Sequence, residues 1–111
     1  MPHNARAIHE AKADLFRVLG HPARVRVLEL LRDGERSVGS LQADLGLDSG
    51  GTSQHLAALR RIGLVTARRE GTSVFYSVED ARVFDLLEAG RRIITRRLAD
   101  QQSLLHELES E

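Results

Sequence analysis

Cysteine is absent from this sequence. That excludes a disulfide framework, a thiolate metal site and a thiol redox switch. Also missing is any apolar run near the roughly eighteen residues of a membrane-spanning helix. Charge of one sign is not in excess. Sixteen basic and sixteen acidic side chains cancel, so a polyanionic partner can be argued only from where the charges sit. Lysine is nearly missing, because fifteen of the sixteen basic residues are Arg. Such a bias suits planar, bidentate recognition of phosphate or guanine, and a GC-rich genome produces the same bias without any function. The stretch MPHNARAIHEAKADLF does not read as a signal peptide, so a cytoplasmic protein is expected. The 111 residues fit a single domain, 1–111, with a modest core, a size at which dimerisation often enlarges the buried surface.

What is present is helical periodicity, then a β pattern, then helical periodicity again. Ile8, Ala11, Leu15 and Val18/Leu19 recur at helical spacing over 5–19, and LGHP breaks the run. Pro22 suits a first helical turn, from which Val25, Leu28 and Leu31 continue until DGE at 33–35. Ser37 can cap a third helix with Val38, Leu41 and Leu45 inward, and Gly46 ends it. A fourth helix starts near Ser49 or Gly50 and runs to Ile62. At 100° per residue, Thr52, Leu56, Leu59 and Gly63 share one face, while Gly50, Ser53, Gln54, Ala57 and Arg61 lie largely on the other. LVTARR and SVFYSV flank Glu70-Gly71-Thr72 and predict a hairpin over 64–78. The last pattern, 80–109, repeats Val83, Leu87, Ile94, Leu98, Leu105 and Leu108, with Gly90 and Gln101 interrupting the stripe. A helix of that length extends roughly 40 Å and needs a partner, most simply a second copy of the chain.

The expected class is therefore mainly α with a small β-hairpin: a winged helix-turn-helix, with 37–62 as the helix-turn-helix and 64–78 as the wing. Dimerisation is expected through the first and last helices, using Ile8, Leu15, Leu87, Ile94, Leu98, Leu105 and Leu108. Two adjacent glycines, Gly50 and Gly51, stand at the mouth of the fourth helix. A helix entering a DNA groove end-on brings its first turn nearest the nucleic acid. Missing side chains there permit close approach, and free N–H groups favour phosphate. Each glycine gives up as much as ~1 kcal/mol of helix propensity relative to Ala. The alternative is an ordinary helix start in which glycine has no role. Ser53 and Gln54, one turn in, are of the right type for base edges or phosphates.

The stretches LGHPARVRVLELL, SQHLAALRRIGLV and RREGTSVFYSV resemble the ArsR/SmtB family of dimeric winged-helix transcriptional repressors, over about residues 12–98. The resemblance implies that Ser49, Gly50, Ser53 and Gln54 occupy DNA-contacting positions, with His55 adjacent; the residues themselves add Gly51 at the helix mouth and Arg60 and Arg61 at its basic end as DNA-binding candidates. It implies that Arg68, Arg69, Gly71, Thr72 and Ser73 form the wing. Gly50 departs from the small polar residue common there, so that contact is lost or becomes a backbone one. The family's metal sensing does not carry over. SVGSLQADLGL lacks the third-helix cysteines. The last-helix ligand positions hold Asp80, Arg82, Ile93 and Arg96, so one ligand survives and two positions are cationic. No cofactor is expected.

His21 reads as part of the interhelix turn and His55 as a groove-edge or packing residue. His3, His9 and His106 read as solvated surface histidines, the alternative being that they gather at a dimer end and bind nickel, cobalt or zinc. No nucleophile elbow, phosphate loop or catalytic carboxylate pair is present, so an enzyme is not expected. A winged-helix module that binds protein and not DNA is the other alternative. Against it stand Arg60, Arg61, Arg68 and Arg69, with Glu70 the only acid between Thr52 and Ser77. The expectation is a homodimeric, sequence-specific regulator of promoter DNA, a repressor on an inverted-repeat operator. Control then falls to a small molecule between the first and last helices or to the protein's abundance.

Overall fold

Most helix starts in the first eighty residues have a local chemical cause. The computed structural model describes residues 7–110. α1 (Ile8–Leu19) stops at Gly20, and α2 (Pro22–Leu30) starts one residue later with proline in its first turn. His21 is the N-cap of α2, its Nδ1 accepting the Ala23 amide at 3.2 Å. Ser37 caps α3 (Val38–Leu45), its hydroxyl accepting the Ser40 amide at 3.1 Å. Gly46 ends α3 with φ +66°, a left-handed conformation that side chains resist. α4 (Ser49–Arg61) is capped by Asp48, a role the sequence reading left unassigned.

The hairpin comprises β2 (Val65–Glu70) and β3 (Ser73–Val78), in register from Val65 opposite Val78 to Glu70 opposite Ser73. Gly71 and Thr72 alone make the turn. Positive φ falls only on the first of them, +61° at Gly71, as a type II′ hairpin requires. A third strand, β1 (Arg36–Ser37), adds to β3 on its other edge and gives the order β1-β3-β2, all antiparallel. Two residues are too few to show alternation, so periodicity could not reveal this strand.

The core is built from every helix of this part. Val18 and Leu19 of α1, Val27, Leu28 and Leu31 at α2, Leu41 of α3, Leu56, Ala58 and Leu59 of α4, and Val65 of β2 are all buried. Thr52, the one buried polar residue of this core, donates its hydroxyl to the Asp48 carbonyl at 2.9 Å, which meets the cost of burying it. Val38 and Leu45, expected inward, are half-buried. Arg36 ties β1 to α3 through hydrogen bonds to Ser40 and an ion pair with Asp44 at 2.6 Å.

The chain divides into two compact units between Asp80 and Ala81. The second consists of one helix, α5 (Arg82–Glu109), 28 residues long and unbroken at Gly90 and Gln101. Those residues interrupt its apolar stripe but not its backbone. At 1.5 Å per residue α5 is roughly 42 Å long. Ile93, Ile94, Leu98, Leu104, Leu105 and Leu108 are each more than half exposed.

Candidate nucleic-acid interface

The start of α4 separates the two glycines. Asp48 Oδ1 accepts the Gly51 amide at 2.7 Å, closing the helix cap. A Cβ on Gly51 would stand 3.0 Å from that same carboxylate oxygen, whereas one on Gly50 would approach no atom closer than 3.9 Å. A side chain on Gly51 would therefore press on the cap, whereas one on Gly50 would press on nothing inside the chain. Gly50, Ser53, Gln54, Ala57 and Arg61 follow one another along the outer face of α4, and all are exposed. Ser49 is exposed beside them. No acidic side chain interrupts this face. Arg60 and Arg61 sit in the last turn, roughly 15 Å along the axis from Gly50. There they complement the negative end of the helix dipole, whatever else they meet.

His55 does not share that face. It lies five residues from Gly50, a rotation of 140° at helical pitch, and is half-buried against α2. Its ring centroid is 4.3 Å from that of His21, and its Nδ1 accepts Arg24 Nε at 3.2 Å. Arg24 also reaches the Val18 carbonyl at 3.4 Å, so a single guanidinium joins α1, α2 and α4. Burial, followed by the positive charge of His21 and Arg24, holds the His55 imidazole below its ordinary pKa.

The wing splits its arginine pair. Successive strand residues point to opposite faces of a sheet. Arg69 is on the face of buried Val65, while Arg68 is on the opposite face with its cross-strand partner Phe75. Arg69 is exposed, and among the described residues no ion pair engages it. Arg68 is fully engaged. Its Nε and Nη2 donate to the two carboxylate oxygens of Glu35 at 2.9 and 2.7 Å, and its Nη1 donates to Glu70 at 3.0 Å. The guanidinium carbon lies 4.9 Å from the Phe75 ring centroid. These contacts hold the Glu35 carboxyl below the usual carboxylate range, with the Arg68 hydrogen bonds as the first cause. Glu35 lies in the α2–β1 loop, 33 residues from Arg68, a distance at which sequence pattern carries no signal.

Gly71, Thr72 and Ser73 form the exposed tip of the wing. Between the wing and α4 runs a cleft of about 480 Å³, lined by Ser37 and Gly39 at the start of α3, Ser53 of α4, and Thr72, Ser73 and Tyr76 of the hairpin. Five of these residues carry hydroxyl groups and none is charged. The structure thus brings Ser53 and the wing tip to one concavity.

Of the residues expected to pair two chains, Ile8, Ile94, Leu98, Leu105 and Leu108 are exposed, and Leu15 and Leu87 are half-buried. His9 and His106 are exposed, and His3 lies outside the described residues. Among the described residues no three His, Asp or Glu side chains are grouped to hold a metal ion. No helix among them is long and apolar enough to cross a membrane.

Comparison with known proteins agrees with this geometry. The family described as bacterial regulatory protein, arsR family, matches residues 21–67. The HTH-type transcriptional regulator Rv0081 of Mycobacterium tuberculosis is 43% identical over 102 residues, which cover 91% of this chain and 90% of that protein. Its crystal structure superposes with a TM-score of 0.79, covering 87% of this chain and 98% of the other. The homodimeric winged helix-turn-helix DNA-binding domain Mb0332 of Mycobacterium bovis superposes at 0.71, with 32% identity and coverage of 83% and 88%. The transcriptional repressor BigR of Xylella fastidiosa does so at 0.70, with 34% identity and coverage of 77% and 87%.

Proposed function

The chain is a member of the ArsR family of bacterial regulatory proteins, and on that footing we propose that it is a homodimeric repressor that lays α4 in the major groove of an inverted-repeat operator. The observation that carries this reading is the outer face of α4, where Gly50, Ser53, Gln54, Ala57 and Arg61 present small and polar groups, free of acids, beside a wing bearing an unengaged Arg69. A groove accepts such a face without steric cost, and phosphates accept its margins.

The roles divide by placement. Gly50 lets the first turn approach closely, Ser53 and Gln54 read base edges, and Ser49, Thr72, Ser73 and Arg69 meet the backbone. Gly71 supplies the turn that presents the wing. Gly51 acts through the Asp48 cap. His55 acts from behind, by fixing α4 to α2. Dimerisation uses the apolar stripe of α5, with Ile8 and Leu15. The protein works in the cytoplasm, and its DNA binding does not require a metal.

The test is enrichment of genomic fragments by the purified protein, followed by anisotropy on the enriched duplex at low and high salt. The expected outcome is a repeat with half-site centres one helical turn, or a multiple of it, apart, and binding that weakens steeply with salt. Absence of duplex binding at any salt would refute the reading and favour a protein-interaction module.

A further inference from the structure

The pairing of Arg68 with Glu35 bears on how the wing meets DNA, and the inference rests on the DNA-binding reading above. We propose that Glu35 is a specificity-determining residue: its carboxylate fills the fork of Arg68 in place of a backbone phosphate and withholds that arginine from duplexes that do not fit α4.

The geometry supports an exchangeable latch. A guanidinium presents the same two-pronged donor edge to a carboxylate as to a phosphate, and Glu35 takes both prongs, at 2.9 and 2.7 Å. The side chains of Arg68 and Glu35 are 50% and 35% exposed, so incoming phosphate can reach the pair. Solvent screens a pair this exposed, and a phosphate offers Arg68 the same two-pronged acceptor. The latch therefore yields when a phosphate is held in place by other contacts and persists when it is not.

Charge accounting points the same way. From Thr52 to Ser77 the sequence carries Arg60, Arg61, Arg68 and Arg69 against Glu70, a surplus of three. Folding brings Glu35 to Arg68 and reduces the local surplus to two. With Glu70 also on Arg68, the three groups together carry one negative charge. In its latched form the wing, Arg69 included, thus carries no net charge towards DNA.

On a random duplex Arg68 stays latched, releases no counterion and adds nothing to the salt dependence. On a fitting operator the phosphate displaces Glu35 and one further contact per protomer forms. Glu35 then widens the gap between operator and random DNA, a gap that net charge alone would narrow.

The experiment uses the whole chain and a mixed-sequence duplex, followed by anisotropy from about 50 to about 200 mM salt. Glu35→Gln is expected to bind that duplex severalfold more tightly at the low-salt end, with a salt slope steeper by about one per protomer. Glu35→Gln/Arg68→Ala, which keeps the cluster at one negative charge, is expected to return to the wild-type slope. Wild-type slope and affinity in Glu35→Gln overturn the proposal. So does equal weakening by Glu35→Gln and Arg68→Ala without a steeper slope, which makes the pair a brace of the wing. Thermal melting of each variant checks that the fold is intact. Failure of the wild type to bind any duplex removes the DNA-binding reading itself, a distinct result.

Discussion

His21 and His55 come from different helices, yet their ring centroids stand 4.3 Å apart with planes inclined at 53°. Each ring accepts a hydrogen bond at Nδ1, from the Ala23 amide and from Arg24 Nε respectively. Arg24 Nε can only donate, so the His55 Nδ1 that accepts from it carries no proton. Protonating His55 at Nδ1 breaks the tie between α2 and α4.

Acid is therefore expected to weaken the fold before any carboxylate titrates. The pKa of His55 is lowered in the folded state, chiefly by burial and then by the charges of His21 and Arg24. The unfolded chain takes up the proton first, so stability is full above about pH 6.5 and falls as pH drops from there towards the lower folded value. Urea midpoints measured between about pH 7.5 and about pH 5.5 should decline for the wild type and stay nearly level for His55→Gln. A wild-type midpoint constant over that range would contradict the assignment.

The paired glycines should separate on substitution. Gly50→Ala is expected to raise stability by as much as ~1 kcal/mol through helix propensity while weakening operator binding. Gly51→Ala should show no such gain, because its Cβ would stand 3.0 Å from the capping oxygen of Asp48. Asp48→Ala is expected to cost about 0.5–2 kcal/mol as a lost cap. Thermal melts and anisotropy on one operator read both effects, and stronger operator binding by Gly50→Ala would reject close approach at that position.

The wing and the outer face of α4 should respond in different currencies. On the role proposed for Arg69, Arg69→Ala should lower the salt slope by about one per protomer on every duplex. Gln54→Ala should leave that slope unchanged and erode discrimination among operator variants by about 1–3 kcal/mol. Competition binding against single-base operator variants distinguishes them, and equal discrimination before and after Gln54→Ala would remove it from base readout.

A charge placed in the stripe of α5 should separate the protomers. Leu98 and Leu105 are more than half exposed, and each contributes apolar surface worth about 25 cal/mol per Å² when covered. Leu98→Glu is expected to sediment as a monomer at micromolar concentration and to lose binding to two-site DNA. A dimer unchanged in mass would move the interface elsewhere.

Local rules made much of this protein legible. Ser37 and Gly46 announced both ends of α3, Pro22 the start of α2, and Gly71 the hairpin turn, because caps and turns depend on one or two neighbouring residues. The inward and outward faces of α4 followed from angle alone. The same angle would have put His55 on the inner side, and Asp48, a favoured capping type directly before the helix, was a readable signal left unused. β1 and the grip of Glu35 on Arg68 were beyond reach. One is too short for periodicity, and the other is a tertiary encounter between exposed charges that leaves no pattern in the sequence.

In the order β1-β3-β2, β2 has one side with no strand partner among the described residues. A strand edge of that kind offers its amides and carbonyls to any passing chain, and proteins commonly guard such edges with charge. Arg68, Arg69 and Glu70 stand consecutively on this one. Any contribution they make to DNA binding therefore coexists with a second duty, keeping the wings of separate molecules from zipping together. Stripping all three charges to probe the DNA contact is expected to produce self-association, visible as light scattering at concentrations where the parent stays clear.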